Sequence, residues 1–185
     1  MNYPKFTFWL ASALLICTTA FAKSSTPEDL AKEYFAAMQT EGMASTGRFM
    51  HPKALSEFKA MLMPVYEAEA NSGQRQLMDI TFGKGMGISA LEEMAPAAFM
   101  NGFMNLVATQ LGDVKISFDR IEVLGTVEEG NARHVLTRMT VGAGDLAVTQ
   151  FEVLSFLPYN DSWRLQLNGE MKGLAKTLRT QISGN

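Results

Sequence analysis

Residues 114–167, with the sequence VKISFDRIEVLGTVEEGNARHVLTRMTVGAGDLAVTQFEVLSFLPYNDSWRLQL, show the two-residue apolar period of half-buried β-strands. Apolar residues alternate over 114–118 and then, on the opposite parity, over 121–123. A change of parity inside one strand indicates a bulge or a sharp bend, here at Asp119 and Arg120. Turn-forming residues mark the strand ends, at 128–131, 142–145 and 159–162. The region therefore predicts a four-stranded antiparallel meander with long strands.

The residues before this region carry the longer apolar period of amphipathic helices. Thr26 and Pro27 are residue types that favour a helix cap and the first helical position, and Gly42 is a suitable end for that helix. A second helix is expected to begin at Pro52, and Pro64 should kink it or split it into two pieces.

An amphipathic helix is also expected after the strands, over 171–182. Helices and strands that are segregated along the chain indicate the α+β class. The predicted fold has N-terminal helices packed on a bent four-stranded antiparallel meander, with a closing C-terminal helix. We expect it to form a single domain over 23–185, because a chain of that length suits one hydrophobic core.

The chain begins with MNYPKFTFWLASALLICTTAFA, residues 1–22, which has the features of a cleavable secretory signal peptide. Lys5 gives the positive start, an apolar stretch follows, and the last three residues match the A-x-A cleavage pattern. Cys17 raises the alternative of a lipoprotein, but Ile16 stands where that motif has a small residue. The other alternative is an uncleaved anchor, although the apolar stretch is shorter than the roughly 20 residues of a membrane span. We expect an exported protein, periplasmic or secreted.

Composition restricts what the exported part can do. Cleavage after residue 22 would remove one basic residue and the only cysteine, leaving 15 Lys and Arg against 19 Asp and Glu, a net charge of −4. An acidic chain is a poor partner for nucleic acid, which needs a basic face. Without cysteine there are no disulfides, thiol nucleophiles or cysteine metal ligands. No later segment has 18 uninterrupted apolar residues, so no membrane span is expected after cleavage.

Methionine is unusually frequent, with twelve of the thirteen residues lying between Met38 and Met171. Methionine fills irregular gaps and forms adaptable apolar surfaces, so the pattern indicates either a methionine-rich core or a soft hydrophobic pocket. A copper site of thioethers is not indicated, because Met61 and Met63 would diverge on a helix and no His–Met cluster is present. We expect no metal site and no cofactor.

The segment FMHPKAL, Phe49–Leu55, together with this order of elements, resembles the nuclear-transport-factor-2-like superfamily of cone-shaped α+β domains. Members often have a first helix like the one expected over 27–40, then a short segment of this kind, and end in long bent hairpins such as 114–167. The chain departs from that pattern in its longer helical middle and its added last helix. The resemblance implies isomerases, dehydratases, cyclases, ligand carriers or structural modules, so the fold alone leaves the function open.

An enzyme of this shape is expected, from the resemblance, to hold an Asp or His in an apolar pit, where burial raises a carboxyl pKa. The candidates are His51, Asp79 and Asp119. His51 precedes a helix-starting proline and can equally serve to shape that start. Asp79 lies between two apolar residues, although a surface carboxylate at a helix end is an alternative, and Asp119 at the bend can point inward or outward. None has a partner at a diagnostic spacing, and no nucleophile elbow, zinc motif or phosphate loop is present.

The strands offer one row of polar residues. A hairpin turning at 130–131 would place Glu122 opposite Arg138, and one turning at 143–144 would place Arg138 beside Gln150. Such a row is able to bind a polar group of a ligand, or it is a solvated cross-strand ladder.

The leading hypothesis is an exported, non-catalytic domain that binds a small apolar ligand or a partner protein between sheet and helices. One alternative is an isomerase- or dehydratase-type enzyme with one buried carboxylate or histidine. The other is a structural module that forms a homodimer through the open side of its sheet.

Overall fold

Helices and strands are segregated along the chain, and the predicted α+β class is confirmed. The computed structural model describes residues 25–110, 112, 116–144 and 146–183, so the predicted signal peptide lies outside the described residues. The elements are α1 (Pro27–Glu41), a 3₁₀ helix (Met43–Arg48), α2 (Pro52–Asn71), α3 (Gln76–Phe82), α4 (Ile88–Glu93), α5 (Pro96–Gln110), β1 (Ile116–Glu129), β2 (Ala132–Ala143), β3 (Leu146–Tyr159), β4 (Ser162–Leu165) and α6 (Gly169–Ser183).

The strands form one antiparallel sheet in the order β1-β2-β3-β4, which is the predicted meander. The register of β1 on β2 shifts between Phe118 and Arg120, and this confirms the bulge predicted at Asp119. A second shift, which the sequence did not predict, lies between Val123 and Gly125. Because bulges bend a strand and increase its twist, these two positions curve β1.

The fourth strand is shorter than predicted, with four residues where the apolar alternation suggested a strand reaching 167. A different segment extends this edge of the sheet. Leu165 N donates to Phe49 O at 2.8 Å, His51 N donates to Leu165 O at 2.7 Å, and Met50 thereby forms a parallel bridge with Leu165. The segment at 49–51 therefore joins the sheet immediately before α2 begins.

The start of α1 is capped as predicted. Thr26 Oγ1 accepts a hydrogen bond from Asp29 N at 3.2 Å, and the Asp29 carboxylate accepts one from Thr26 N at 3.4 Å. This reciprocal pair satisfies two backbone donors that the helix itself leaves free. The helix ends at Gly42, whose φ of 80° favours a residue without a β-carbon.

The second helix is continuous over 20 residues with Pro64 inside it, so of the two predicted effects of Pro64, a kink or a split, the split is wrong. Pro64 lies on the exposed side of α2, where water can hydrate the carbonyl that its ring leaves without a partner. Near the end of α2 the buried Glu69 carboxylate accepts hydrogen bonds from Leu77 N at 2.5 Å and Met78 N at 2.9 Å. The Glu69 carboxylate thus caps α3, because the side chain of Arg75 at the N-cap position makes no capping hydrogen bond.

The core lies between the helices and the inner face of the sheet, with a cluster of aromatic rings on the helical side that pack edge-on or tilted against one another. The rings belong to Phe58, Tyr66, Phe82, Phe99 and Phe103, with centroids 5.2–6.3 Å apart. Six methionines are also buried, namely Met38, Met50, Met63, Met78, Met100 and Met139. The expected methionine-rich core is therefore present.

Candidate functional site

A cavity of about 300 Å³ lies between the inner face of the sheet, α1, the 3₁₀ helix and the start of α6. Five methionines contribute to its wall, namely Met38, Met43, Met104, Met139 and Met171. The rings of Tyr34, Phe35 and Phe118 add aromatic surface. We call this space the methionine cavity. Its wall combines aromatic rings with flexible thioethers, which adapt to the shape of an apolar molecule.

The alternation of strand residues explains which side chains reach the cavity. Met139 pairs with Gln150 across β2 and β3, and Thr137 pairs with Glu152. Because successive side chains point to opposite faces, Gln150 and Glu152 lie on the same face as the buried Leu154. The inner face of β3 thus changes from apolar to polar where it enters the cavity.

Glu152 is the carboxylate at the centre of this site. Its side chain is partly buried, and Asn168 Nδ2 donates to its Oε1 at 3.4 Å. Asn168 Oδ1 accepts a hydrogen bond from Met171 N at 2.9 Å in the first turn of α6, which orients the amide. Burial raises the pKa of Glu152 above its ordinary value, the nearby Glu170 carboxylate raises it further, and the Asn168 hydrogen bond opposes both.

Tyr34 supplies a neutral hydroxyl to the same cavity. Burial raises the pKa of Tyr34 to about 12, with an opposing hydrogen bond to Thr46. The phenol therefore stays protonated at neutral pH and can donate or accept a hydrogen bond. Its ring packs edge-on against Phe35 and Phe49, with centroids 5.6 and 5.5 Å away. The cavity thus offers an apolar wall, one perturbed carboxyl group and several neutral polar groups.

The structure places His51 at the start of α2 and outside the methionine cavity. Its Nδ1 accepts a hydrogen bond from Lys53 N at 3.1 Å, so the side chain caps the helix. Its ring packs edge-on against Tyr159 with centroids 5.5 Å apart. Burial lowers the pKa of His51, and the positive charges of Lys53 and Arg164 lower it further. These contacts give His51 a structural role at the junction of helix and sheet.

The two aspartates proposed as candidates do not line the methionine cavity. Asp79 lies in α3, where its Oδ1 is 3.8 Å from Arg75 Nε and makes no hydrogen bond within the described residues. Asp119 lies exposed at the β1 bulge, with its carboxylate beside Gly142 of β2. In the described part of the chain, His51, Asp79 and Asp119 are not grouped into one cluster, so they form no joint site.

Of the predicted polar row, only the pairing of Glu122 with Arg138 is present. Arg138 Nη1 donates to Glu122 Oε2 at 3.1 Å on the outer face of the sheet. The prediction that Arg138 lies beside Gln150 is wrong. The register of β3 on β2 pairs Arg138 with Phe151, one residue further along β3 than predicted. The Arg138 guanidinium lies over the Phe151 ring, 5.4 Å from its centroid. Gln150 consequently faces the methionine cavity on the opposite side.

The outer face of the sheet exposes apolar side chains. Phe151 and Val153 of β3 are 65% and 50% exposed, and the exposed Leu136 of β2 pairs with Val153. His134 on the same face links Ser155 Oγ at 2.8 Å to Glu129 Oε2 at 2.9 Å. The expectation of a homodimer through this side of the sheet stays a prediction.

Sequence reasoning missed Glu152, Tyr34 and Asn168. The residues at 151–157, FEVLSFL, are apolar on both parities, so the alternation does not reveal which face is buried. The register of β3 on β2 is what places Glu152, because its pairing with Thr137 puts both side chains on the inner face, and the apolar pattern of β3 does not indicate that register.

Within the described residues, no three His, Cys, Asp or Glu side chains are grouped as a metal site requires. In the same part of the chain, no helix is both long enough and apolar enough to cross a membrane. Comparison with protein-family models, with curated proteins and with solved structures found no match.

Proposed function

We propose that the protein is an exported, non-catalytic domain that binds a small, mostly apolar molecule in the methionine cavity. The observation that carries this proposal is the cavity itself, of about 300 Å³, bounded by five methionines and three aromatic rings. Ligand sites in proteins are mostly apolar concavities with a few polar groups that orient the ligand. Glu152, Gln150 and Asn168 are the polar groups of this kind here.

The volume limits the size of the ligand. Sites for drug-sized molecules have volumes of roughly 300–1,000 Å³, and the methionine cavity is at the lower end of that range. We therefore propose a ligand with a short chain or a single ring system, of which one end reaches Glu152. The proposed place of action is the periplasm or the extracellular space, because residues 1–22 have the pattern of a signal peptide.

Native mass spectrometry of the protein purified from its own compartment tests this proposal. We expect a bound mass that organic extraction releases, together with saturable binding of a neutral apolar dye. A bare chain mass combined with no dye binding would overturn the proposal, because the cavity would then be only a packing defect.

A proton-transfer enzyme of the isomerase or dehydratase kind is the second candidate. Glu152 favours it, because a carboxyl group whose pKa is raised in an apolar cavity is suited to take and return a proton. The discriminating experiment incubates the extracted ligand with the protein and with the Glu152→Gln variant. Conversion by the first and not the second supports an enzyme, and recovery of unchanged ligand from both supports a binding protein.

The relationship to the nuclear-transport-factor-2-like superfamily remains part of this proposal. Its support is the segment at 49–51, which joins the sheet edge, and the long bulged strand β1.

A further inference from the structure

The charged side chains that line the methionine cavity are, among the residues that the structure describes, all acidic. Glu152 on β3 and Glu170 at the start of α6 both line it. None of the described residues that line it is Lys, Arg or His. Its other polar groups are neutral hydroxyls and amides, such as Tyr34 and Asn168. The described part of the wall thus offers a ligand negative charge and hydrogen-bond acceptors but no cationic side chain.

In the part of the chain that the structure describes, these carboxylates have no cationic partner. Neither Glu152 nor Glu170 takes part in any ion pair among the described residues. The hydrogen bond from Asn168 to Glu152 is long, at 3.4 Å, so it only partly replaces lost water. Burying a carboxylate without a partner is unfavourable, and a positive group supplied by a ligand would relieve the burial and the repulsion between the two acids.

The remaining wall is also compatible with a positive charge. Phe35 and Phe118 lie edge to face with centroids 6.5 Å apart, and Tyr34 contributes a third ring. Aromatic faces attract organic cations through their negative quadrupole, and thioether sulfurs are polarizable. The cavity wall therefore suits both the apolar part and the positively charged group of one organic cation.

We infer that the ligand of the methionine cavity is an organic cation, an amine or quaternary ammonium group with an apolar body, whose positive end lies at Glu152. This inference rests on the proposed ligand-binding function. An apolar carboxylate, such as a short fatty acid, is disfavoured in the same site because its charge would add to those of Glu152 and Glu170.

Isothermal titration calorimetry with three probes tests the inference, using octylamine, octanoate and octanol, which share one apolar chain. We expect the amine to bind more tightly than octanoate by roughly tenfold or more, with the neutral alcohol in between. Octanoate binding as tightly as octylamine would overturn the inference and leave the proposed function standing. Failure of all three probes to bind would overturn the proposed function as well.

Variants locate the preference at the cavity. Glu152→Gln removes the carboxylate with little change of shape and should reduce the amine-to-octanoate ratio by about tenfold while octanol binding persists. Glu122→Gln removes the same charge from the outer face of the sheet and should leave the ratio unchanged. Glu170→Gln, at the cavity rim, provides a second variant that should lower the ratio in the same direction. A ratio that no cavity variant alters would contradict the placement of the cation at Glu152.

Discussion

Asn168 Nδ2 lies 3.4 Å from Glu152 Oε1, while the Oδ1 of the same amide accepts a hydrogen bond from Met171 N at 2.9 Å. One side chain thus joins the inner face of the sheet to the first turn of α6. Because the helix cap holds the amide in one orientation, its nitrogen stays directed at the carboxylate. The long distance leaves Glu152 with free capacity to accept a hydrogen bond from a ligand.

The first prediction concerns the cost of burying Glu152. Its pKa is raised in the folded protein, so the folded state binds more protons than the unfolded state and stability falls as pH rises. The loss begins near the ordinary value of 4.5 and is complete above the raised pKa. Glu152→Gln removes this penalty, so we expect the variant to be more stable than the parent protein near neutral pH and equally stable in mild acid.

Thermal unfolding of both proteins across that pH range measures the difference. The other titratable groups in the cavity, Glu170 and Tyr34, are present in both proteins, so subtraction isolates Glu152. A gain of 1 kcal/mol would raise the midpoint by roughly 2–4 °C in a domain of this size. A difference that is constant with pH would show that Glu152 is not desolvated.

The second prediction concerns the buried carboxylate of Glu69. It accepts hydrogen bonds from Leu77 N and Met78 N at the start of α3. Removing it leaves one buried and one partly buried donor without a partner, so Glu69→Ala should lower the free energy of unfolding by about 2 kcal/mol or more. Glu67→Ala, an exposed change in the same helix, should stay within about 0.5 kcal/mol of the parent protein. Denaturant unfolding compares them, and equal losses would contradict the capping role.

The third prediction compares two glycines inside helices. A β-carbon at Gly102 of α5 would lie 2.7 Å from the Phe82 ring, whereas one at Gly173 of α6 would meet no atom within 4 Å. Gly102→Ala should therefore destabilise the fold by about 1–3 kcal/mol through overpacking. Gly173→Ala should stabilise it by about 0.5–1 kcal/mol, because alanine loses less backbone entropy in a helix. Stabilisation by both substitutions would contradict the close packing of α5 on Phe82.

The fourth prediction concerns cleavage of the proposed signal peptide. The A-x-A pattern at the end of residues 1–22 predicts cleavage before Lys23. N-terminal sequencing of protein recovered from outside the cytoplasm should begin at Lys23. A chain that retains Met1 would contradict cleavage and favour the anchor alternative.

The parts of the fold that local chemistry determines were predicted from the sequence. Thr26 caps α1, Gly42 ends it, and Asp119 forms the bulge in β1, because each feature depends on residue types within a few positions. The length of β4 was not predictable in this way. The backbone of Leu165 in β4 forms hydrogen bonds with Phe49 and His51, which are more than 100 residues away in sequence.

The site was harder to predict because it depends on register. A shift of one residue in the pairing of β3 with β2 exchanges the two faces of β3, and the observed register places Gln150 and Glu152 at the cavity. Because β3 has apolar residues at both odd and even positions, its sequence does not favour one register over the other. Tyr34 and Asn168 join Glu152 only through the packing of α1 and α6 on the sheet, which no spacing in the sequence reveals.

Dye binding to a filled cavity tests the central claim most directly. Val141 on β2 lines the methionine cavity, and Val141→Phe places a ring in the space that a ligand would occupy. Val127→Phe makes the same change at an exposed position of β1 and serves as the control. We expect a neutral apolar fluorescent dye to bind the parent protein and the control saturably, and to bind folded Val141→Phe much more weakly. Equal binding to all three proteins would contradict the methionine cavity as the ligand site.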